Sequence, residues 1–179
     1  MLSYQRGDAA AFETLYLRHK GPLYRYILRQ CKNQAIAEEL FQDVWMKLIN
    51  ARERYEVRAK FTTWIYQVAN NRLIDHYRRQ KTTASDLSQE RETDTQELAA
   101  GLQEQPDIQS QSQEKIAHLV SLVKALPEDQ RQAFLLREEA GMSIQEIADT
   151  TGVNAETAKS RLRYAVKKLR KGLEEYQPG

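Results

Sequence analysis

The stretch 141–171, GMSIQEIADTTGVNAETAKSRLRYAVKKLRK, predicts two helices joined by a tight turn. Ser143 and Glu146 have the S-x-x-E spacing of a capping box, which satisfies backbone donors at the start of the first helix. Gly152 can adopt the positive φ that ends this helix, and Asn154 is a favourable N-cap for the second. The stretch is therefore predicted to form a helix-turn-helix unit.

The second of these predicted helices has a strongly basic polar side. Its apolar residues recur at three- and four-residue spacing, which indicates one buried stripe: Ala158, Leu162, Ala165, Val166 and Leu169. Between positions 159 and 171 there are seven Lys or Arg and no Asp or Glu. Such a face suits DNA, because phosphates fix the register while a few side chains contact base edges. The alternative is an ordinary solvated amphipathic helix. We predict DNA contacts for Glu156, Thr157, Lys159, Ser160, Arg161, Arg163 and Lys167.

The charge is distributed unevenly along the 179 residues. The net charge is +7 over 1–81, −6 over 82–112 and +1 over 113–179, although the total is only +2. The acidic part is rich in Ser, Thr and Gln and contains no aromatic residue, which is typical of a flexible linker. We therefore predict two small domains, 1–81 and 114–176, joined by an acidic linker over 82–113.

Several classes of protein are excluded by what the sequence lacks. No run approaches the roughly 18 apolar residues of a membrane span, and the N-terminus lacks the apolar run of a signal peptide, so we expect a cytoplasmic protein without membrane insertion. Cys31 is the single cysteine, which rules out an intrachain disulfide. The three histidines are never paired at ligand spacing, so we expect no metal site and no cofactor.

The remaining periodic segments show the helical period. Asp8 is placed to cap a first helix, and Gly21-Pro22 predicts a break or kink after which the pattern resumes. A third helix of about 15 residues includes positions 37–48, and a fourth covers 61–81. No strand pattern is found, so the predicted fold class is all-α, with two helical domains of which the second contains the helix-turn-helix.

Three stretches in this order resemble the extracytoplasmic-function group of bacterial sigma factors in the sigma-70 family. AIAEELFQDVWMKL (35–48) is similar to the helix by which the family docks on the clamp of core RNA polymerase, and KFTTWIYQVANNRLIDHYRRQ (60–80) is similar to its promoter-melting and minus-ten helix. LPEDQRQAFLLREEAGMSIQEIADTTGVNAETAKSRLRYAVKKLR (126–170) is similar to the domain that binds the minus-thirty-five element. The resemblance covers almost the whole chain outside the linker.

On this basis the third predicted helix is a docking surface for core polymerase. An acidic strip beside two aromatic residues suits a partner with basic and apolar character; the set is Glu38, Glu39, Phe41, Gln42, Asp43 and Trp45. Phe41 and Trp45 have a second interpretation as core residues, and the two interpretations remain open at this stage.

The fourth predicted helix combines aromatic, basic and amide side chains. This combination suits strand separation, because unpaired bases stack on aromatic rings while cations hold the backbone. The predicted minus-ten residues are Lys60, Phe61, Trp64, Tyr66, Gln67, Asn70, Asn71, Arg78 and Arg79. Trp64 has an alternative role in packing. The resemblance further implies that Asn71 and the loop 52–60 shape a pocket for an unstacked base.

The resemblance implies a promoter-specificity subunit that is not an enzyme. Its partners would be core RNA polymerase, through the clamp of the largest subunit and the flap, promoter DNA and an anti-sigma factor. Many relatives have Pro or a small polar residue and then Gly where this chain has Asn154-Ala155-Glu156, and Val where it has Ala158. Glu156 can favour the helix dipole or accept a hydrogen bond from cytosine N4, which leaves the minus-thirty-five sequence open. One alternative is a stand-alone helix-turn-helix regulator, but such a protein has no need of a basic, aromatic fourth helix. The other is a nucleic-acid enzyme, but no carboxylate or histidine cluster in the sequence has acid-base or metal-ligand spacing.

Overall fold

The computed structural model describes the backbone of residues 1–84 and 109–176 and the side chains of 1–80 and 113–176. Within those residues the protein forms eight α-helices and no β-strand. The predicted all-α fold is confirmed. Most of the predicted acidic linker, 82–113, lies outside the described residues, and its flexibility stays a prediction.

Four helices form the N-terminal half: α1 (Leu2–Gln5), α2 (Ala9–Cys31), α3 (Gln34–Asn50) and α4 (Phe61–Ala84). The predicted cap at Asp8 is confirmed, since its carboxylate accepts a hydrogen bond from the Ala11 N–H at 3.3 Å. Asn33 caps α3 in the same way through the Ile36 N–H at 3.0 Å. Lys32, between them, ends α2 in the left-handed conformation at φ 58°. These polar contacts fix where α2 stops and α3 begins.

The predicted break at Gly21-Pro22 is wrong if taken as a helix end, because α2 continues through Pro22 as one helix of 23 residues. A proline inside a helix removes one backbone hydrogen bond and costs about 3 kcal/mol. On both sides of it, α2 buries residues against the rest of the protein, including Leu15, Leu23 and Ile27. Burying three such side chains stabilises by roughly 1.5–3 kcal/mol each, which outweighs the cost of the proline.

Four further helices form the C-terminal half: α5 (Gln109–Ala125), α6 (Glu128–Ala140), α7 (Ile144–Thr151) and α8 (Ala155–Glu174). The capping box is present, with the Ser143 hydroxyl accepting from the Glu146 N–H at 3.2 Å and the Glu146 carboxylate accepting from the Ser143 N–H at 2.9 Å. Gly152 ends α7 at φ 71°, and the Asn154 side chain accepts from the Thr157 N–H at 2.7 Å. The predicted helix-turn-helix is α7 and α8.

The two halves pack against each other through α2 and α4 on one side and α6 and α7 on the other. Each half has fully buried apolar side chains, such as Ile27, Leu40 and Ile65 in the first and Leu135 and Ile147 in the second. The buried residues of both halves form one continuous cluster. The side chains of α4 that face the second half are consequently removed from solvent.

None of the helices among the described residues is long and apolar enough to cross a membrane.

Candidate functional site

The outer surface of α3 carries most of the predicted docking strip. Glu38, Glu39 and Gln42 are exposed, and Asp43 is half-buried. The Asp43 carboxylate forms an ion pair with the Arg72 guanidinium of α4, so it also joins the two helices. The acidic strip is therefore accessible, but one of its members already has a partner inside the protein.

The two aromatic residues predicted to flank this strip belong to an aromatic cluster. Trp45 is only 5% exposed and packs edge-on against Tyr16, at 4.9 Å between ring centroids, and Phe12, at 5.9 Å. Phe41 is half-buried and lies 6.1 Å from Trp45. The structure thus decides between the two interpretations of Trp45 in favour of packing, because no large part of its ring is available to a partner.

Two exposed apolar residues on α3 were missed as docking candidates. Met46 and Ile49 are 53% and 38% exposed. They follow Gln42 at spacings of four and seven residues, so they lie on the same side of the helix as the acidic strip. That spacing was visible in the sequence. Apolar residues of an amphipathic helix are, however, ordinarily assigned to its buried side.

The predicted minus-ten residues on α4 fall into two groups. The first group faces the C-terminal half. Lys60 Nζ lies 3.2 Å from Glu146 Oε1, the Tyr66 hydroxyl donates to the Glu139 carbonyl at 3.2 Å, and the Asn70 amide donates to the Thr150 carbonyl at 3.1 Å. Tyr66 and Asn70 are buried, so in this arrangement of the two halves neither side chain is accessible to promoter DNA. The physical reason is that α6 and α7 cover this side of α4.

The second group on α4 remains accessible to varying degrees. Asn71, Arg78 and Arg79 are exposed, while Phe61, Trp64 and Gln67 are half-buried. Phe61 lies 5.1 Å from the His19 ring and 5.9 Å from Trp64, and Trp64 packs edge-on against Tyr55 at 5.3 Å. Burial, with the positive charge of Arg18 and the N-terminus, lowers the pKa of His19, which favours a neutral ring beside Phe61.

The loop 51–60 leads into α4 and is held by the N-terminal helix. The Gln5 amide of α1 donates to the Glu53 carbonyl at 3.2 Å and to the Tyr55 carbonyl at 3.0 Å. The Arg52 guanidinium stacks over the Tyr4 ring at 4.9 Å. Helix α1 was not predicted, because four residues are too few to show a helical period.

The basic face of α8 is open to solvent. Glu156, Lys159, Arg163 and Lys167 are exposed, and Ser160 is half-buried between them. These residues recur every three or four positions, so they share one side of the helix. Thr157 is half-buried and gives its backbone N–H to the Asn154 cap. The N-terminal part of α8 thus presents cations on a single accessible face, as the sequence predicts.

Arg161 lies on a different side of α8. Its guanidinium forms an ion pair with Asp129 of α6 at 2.7 Å, and its side chain is 25% exposed. Since residues two positions apart lie roughly on opposite sides of a helix, Arg161 cannot share a face with Lys159 or Arg163. In this structure its guanidinium joins α8 to α6, which conflicts with the predicted contact to DNA.

Two large residues of α8 are more exposed than the helical pattern suggests, and one of them belongs to the predicted apolar stripe. Val166, expected to be buried, is 39% exposed. Tyr164 is 49% exposed, and the Arg163 guanidinium lies 5.3 Å from its ring centroid. Tyr164 is adjacent to the basic face and was missed because aromatic residues in an amphipathic helix are ordinarily assigned to the core.

Glu146 is the most strongly perturbed acid in the described side chains for which a shift is resolved. The backbone N–H of Ser143, with smaller contributions from the Ser143 hydroxyl, Lys60 and Thr63, lowers the pKa of Glu146 to about 2. Its carboxylate therefore serves as a helix cap within the C-terminal half and as an anion facing α4. Within residues 1–80 and 113–176, no group of three or more His, Cys, Asp or Glu side chains is placed to hold a metal ion.

Comparison with known proteins identifies both halves. The model of sigma-70 region 2 matches residues 15–83, and the model of sigma-70 region 4 matches residues 117–169. The chain is 30% identical to the RNA polymerase sigma factor CarQ of Myxococcus xanthus, over 99% of this chain and 97% of that protein. It is 28% identical to the ECF RNA polymerase sigma factor SigX of Bacillus subtilis, over 91% of this chain and 84% of that protein.

Two solved structures have the same fold. One is the sigma factor RpoE in complex with the anti-sigma factor NepR from Bartonella quintana, with a TM-score of 0.70 and 21% identity over 93% of this chain and 99% of that chain. The other is CnrH in complex with the cytosolic domain of CnrY, with a TM-score of 0.65 and 18% identity over 97% and 94%. Together with the relatives, the family models decide against a stand-alone regulator and an enzyme. The chain belongs to the extracytoplasmic-function group of the sigma-70 family and is a sigma factor that directs RNA polymerase to promoters.

Proposed function

We propose that the three surfaces described above divide the work of this sigma factor. Residues 1–81 form a domain whose α3 docks on the clamp of the largest polymerase subunit and whose α4 binds and opens the minus-ten element. Residues 114–176 form a second domain that contacts the flap and binds the minus-thirty-five element through α8, and the segment 82–113 connects the two. The site of action is the cytoplasm.

The observation that carries this proposal is the exposed basic face of α8 behind a fully capped turn. Lys159, Arg163 and Lys167 are exposed on one side of the helix, and Ala158, Ala165 and Leu169 are buried on the other. A rigid helix with cations on one accessible face suits contacts with phosphates along a duplex groove. Glu156, at the start of the helix, is placed where it can favour the helix dipole or contact a cytosine.

Docking on polymerase is supported by the composition of the exposed side of α3. Glu38, Glu39 and Gln42 provide a polar and acidic strip, and Met46 and Ile49 add exposed apolar surface beside it. Interfaces of this kind combine an apolar centre with charges that select the partner. We therefore extend the docking surface to Met46 and Ile49 and leave Trp45 in a supporting role beneath it.

An anti-sigma factor is a further proposed partner. One relative of similar fold was solved in complex with an anti-sigma factor. In this chain the acidic strip on α3 that is proposed to dock on polymerase is also exposed to an anti-sigma factor. An anti-sigma factor bound there would compete with polymerase for the strip.

Reconstituted transcription tests the proposal. Core polymerase with the purified chain should bind and open a cognate promoter fragment, whereas the chain alone should bind the same duplex weakly. Glu39→Lys combined with Gln42→Lys should lower affinity for core polymerase without loss of helical circular dichroism, while Glu13→Lys, an exposed acid on α2, serves as the control. Unchanged core affinity in the folded double variant would remove α3 from the docking site.

A further inference from the structure

The middle of the loop 51–60 depends on one side chain of α1 for its hydrogen bonds. The amide nitrogen of Gln5 carries two hydrogens and donates to the carbonyls of both Glu53 and Tyr55, at 3.2 and 3.0 Å. Within residues 1–80 and 113–176, neither carbonyl accepts a hydrogen bond from another protein group. The hydrogen bonds that run from the loop back toward α3 stop at Arg54, whose N–H donates to the Ala51 carbonyl. Gln5 therefore holds the part of the loop where this pairing has ended.

A second contact with α1 holds the beginning of the same loop. The Arg52 guanidinium lies 4.9 Å from the centroid of the Tyr4 ring, and its Nε is buried with no hydrogen-bond partner among the described residues. The negative face of an aromatic ring attracts a guanidinium stacked upon it. Arg52 is thus used to attach the loop to α1, so the loop is held at two points by neighbouring residues of one short helix.

Helix α1 is itself anchored to the rest of the N-terminal half. The Tyr4 ring lies 5.2 Å from Phe12 of α2, and Phe12 lies 5.9 Å from the buried Trp45 of α3. The chain turns from α1 into α2 at Gly7, whose φ of 104° is accessible chiefly to glycine. Because these contacts do not involve the loop, α1 is the support and the loop is the part that it holds.

The held conformation determines which loop residues face solvent. The Tyr55 side chain is only 8% exposed and packs edge-on against Trp64 of α4 at 5.3 Å. Residues 56–60 are exposed, with Val57 at 62%, and they lead directly into Phe61 at the start of α4. The position of this exposed segment therefore depends on Tyr55, whose ring is held by α4 and whose carbonyl is held by α1.

We propose that α1 is a positioning element for minus-ten recognition: Gln5 and Tyr4 hold the loop 51–60 in the conformation in which its exposed residues meet an unpaired base. This inference rests on the minus-ten role proposed for α4. Neither side chain touches DNA, and each acts through the loop. A site that is ordered before binding discriminates better than a loose one. Release of the loop should therefore weaken the preference among bases more than the phosphate contacts, which carry no sequence information.

The test uses holoenzyme assembled with the full chain and a library of duplex promoter fragments randomised across the minus-ten element. Gln5→Met removes both donors with little change in size and none in charge, Gln5→Lys keeps a donating group, and Leu2→Ala changes an exposed residue of the same helix. Preference is the ratio of transcription from the favoured base to that from the other three at one position. We expect Gln5→Met to lower this ratio about three- to tenfold, and Gln5→Lys and Leu2→Ala to change it less than about twofold.

The mobility of the loop is measured separately in the free chain. A nitroxide on Val57→Cys, in a Cys31→Ser background, reports this mobility through the line shape of its electron paramagnetic resonance spectrum. Gln5→Met should sharpen the lines, and Gln5→Lys should restore those of the parent. Tyr4→Leu keeps an apolar contact with Phe12 but removes the ring beneath Arg52. It should act in the same direction with a smaller change, and it provides a second variant should Gln5→Met unfold.

An unchanged base preference in folded Gln5→Met would overturn the proposal. An equal loss of transcription from every promoter in the library would overturn it too, because that is the result of a merely structural role, and so would an equal loss of preference in Leu2→Ala. A parent holoenzyme without preference at any minus-ten position would instead defeat the proposed minus-ten role. In that case sharper lines for Gln5→Met would still show that α1 holds the loop, so the two failures are distinguished.

Discussion

The two helices proposed to bind promoter DNA differ in what covers them. On α8 the cations Lys159, Arg163 and Lys167 face solvent, whereas on α4 the side chains of Tyr66 and Asn70 lie under α6 and α7. Both faces follow the helical period, and both were predicted to contact DNA. The comparison teaches that periodicity identifies the residues that share a face of a helix, but the partner that occupies the face is decided by tertiary contacts.

The open face of α8 should give the largest mutational effect. Replacing Lys159, Arg163 and Lys167 together by alanine removes three contacts of roughly 1 kcal/mol each, so holoenzyme affinity for a promoter should fall by about 100-fold. The dependence of affinity on salt should also become shallower, by about 2 to 3 in the logarithmic slope. Titration of a labelled promoter fragment at several salt concentrations measures both changes.

Two single substitutions test whether the position of a cation on α8 matters or only its charge. Arg163→Ala, on the basic face, should weaken binding several-fold more than Lys168→Ala, which lies toward the side of α8 that carries Arg161. Equal losses for the two variants would mean that the cations act only through the net charge of the helix.

Adjacent asparagines on α4 sharpen the contrast between a covered and an exposed position. Asn71→Ala, at the exposed position, should lower open-complex formation about three- to tenfold on a duplex promoter and less on a template already unpaired across the minus-ten element. Asn70→Ala should also weaken the contact between the two halves by about 1–2 kcal/mol, because Thr150 and Gln132 lose a buried partner. Permanganate footprinting follows opening. Energy transfer between dyes on Lys47→Cys and Lys168→Cys, in a Cys31→Ser background, follows the contact between the two halves.

The two asparagines would prove equivalent if both variants changed energy transfer to the same extent. Opening of the duplex promoter by Asn71→Ala at the parent's rate would remove Asn71 from the melting site.

The capping acid of α7 predicts a pH dependence. The folded pKa of Glu146, about 2, lies below its ordinary value of 4.5, so ionised Glu146 stabilises the folded chain above about pH 4.5, and this contribution is lost as the pH falls through 2. Glu146→Gln should be less stable than the parent at pH 7, and the difference should shrink between pH 4.5 and 2. Urea unfolding at a series of pH values measures it, with Glu138→Gln as control. A difference that stays constant down to pH 2 contradicts the assignment.

The smallest effect is expected at Arg161. Its ion pair with Asp129 is partly exposed, so Arg161→Ala should cost about 0.5–1 kcal/mol of stability and leave the preference among minus-thirty-five sequences unchanged. Asp129→Ala should cost about the same, and the double variant little more, since the two residues share one interaction. Competition between promoter variants provides the other measurement. Relaxed preference at one base position, seen for Arg161→Ala alone, would show that Arg161 leaves Asp129 to contact DNA.

The parts of this protein that sequence predicts well are those governed by local interactions. The cap at Asp8 and the capping box at Ser143 and Glu146 formed as expected, because each depends on residues three positions apart. The helical continuity through Pro22 was not predicted, since burial of residues far along the chain outweighs a local penalty. The same reason explains Trp45, whose packing depends on α2.

In the candidate site, too, features set by local spacing could be predicted and features set by tertiary contacts could not. The stripe of α8 cations could be assigned from spacing alone, whereas the ion pair of Arg161 required α6 to be placed beside α8. The Glu146 carboxylate lies against Thr63 of α4, 83 positions away in the sequence. No sequence signal pairs Glu139 with Arg25 and Arg29 of α2. An acid on an exposed helix face is ordinarily solvated, so its role appears only when the two halves are seen together.

If α4 binds and opens the minus-ten element as proposed, its face under α6 and α7 must be uncovered in the initiation complex. Energy transfer between dyes on Lys47→Cys and Lys168→Cys, in the Cys31→Ser background, measures this directly before and after addition of core polymerase and then of promoter DNA. We predict efficient transfer in the free chain and a large decrease once core polymerase is bound, with no return when the promoter opens. Unchanged transfer in a transcriptionally active complex would contradict the account, since α4 would then remain covered while the promoter is opened.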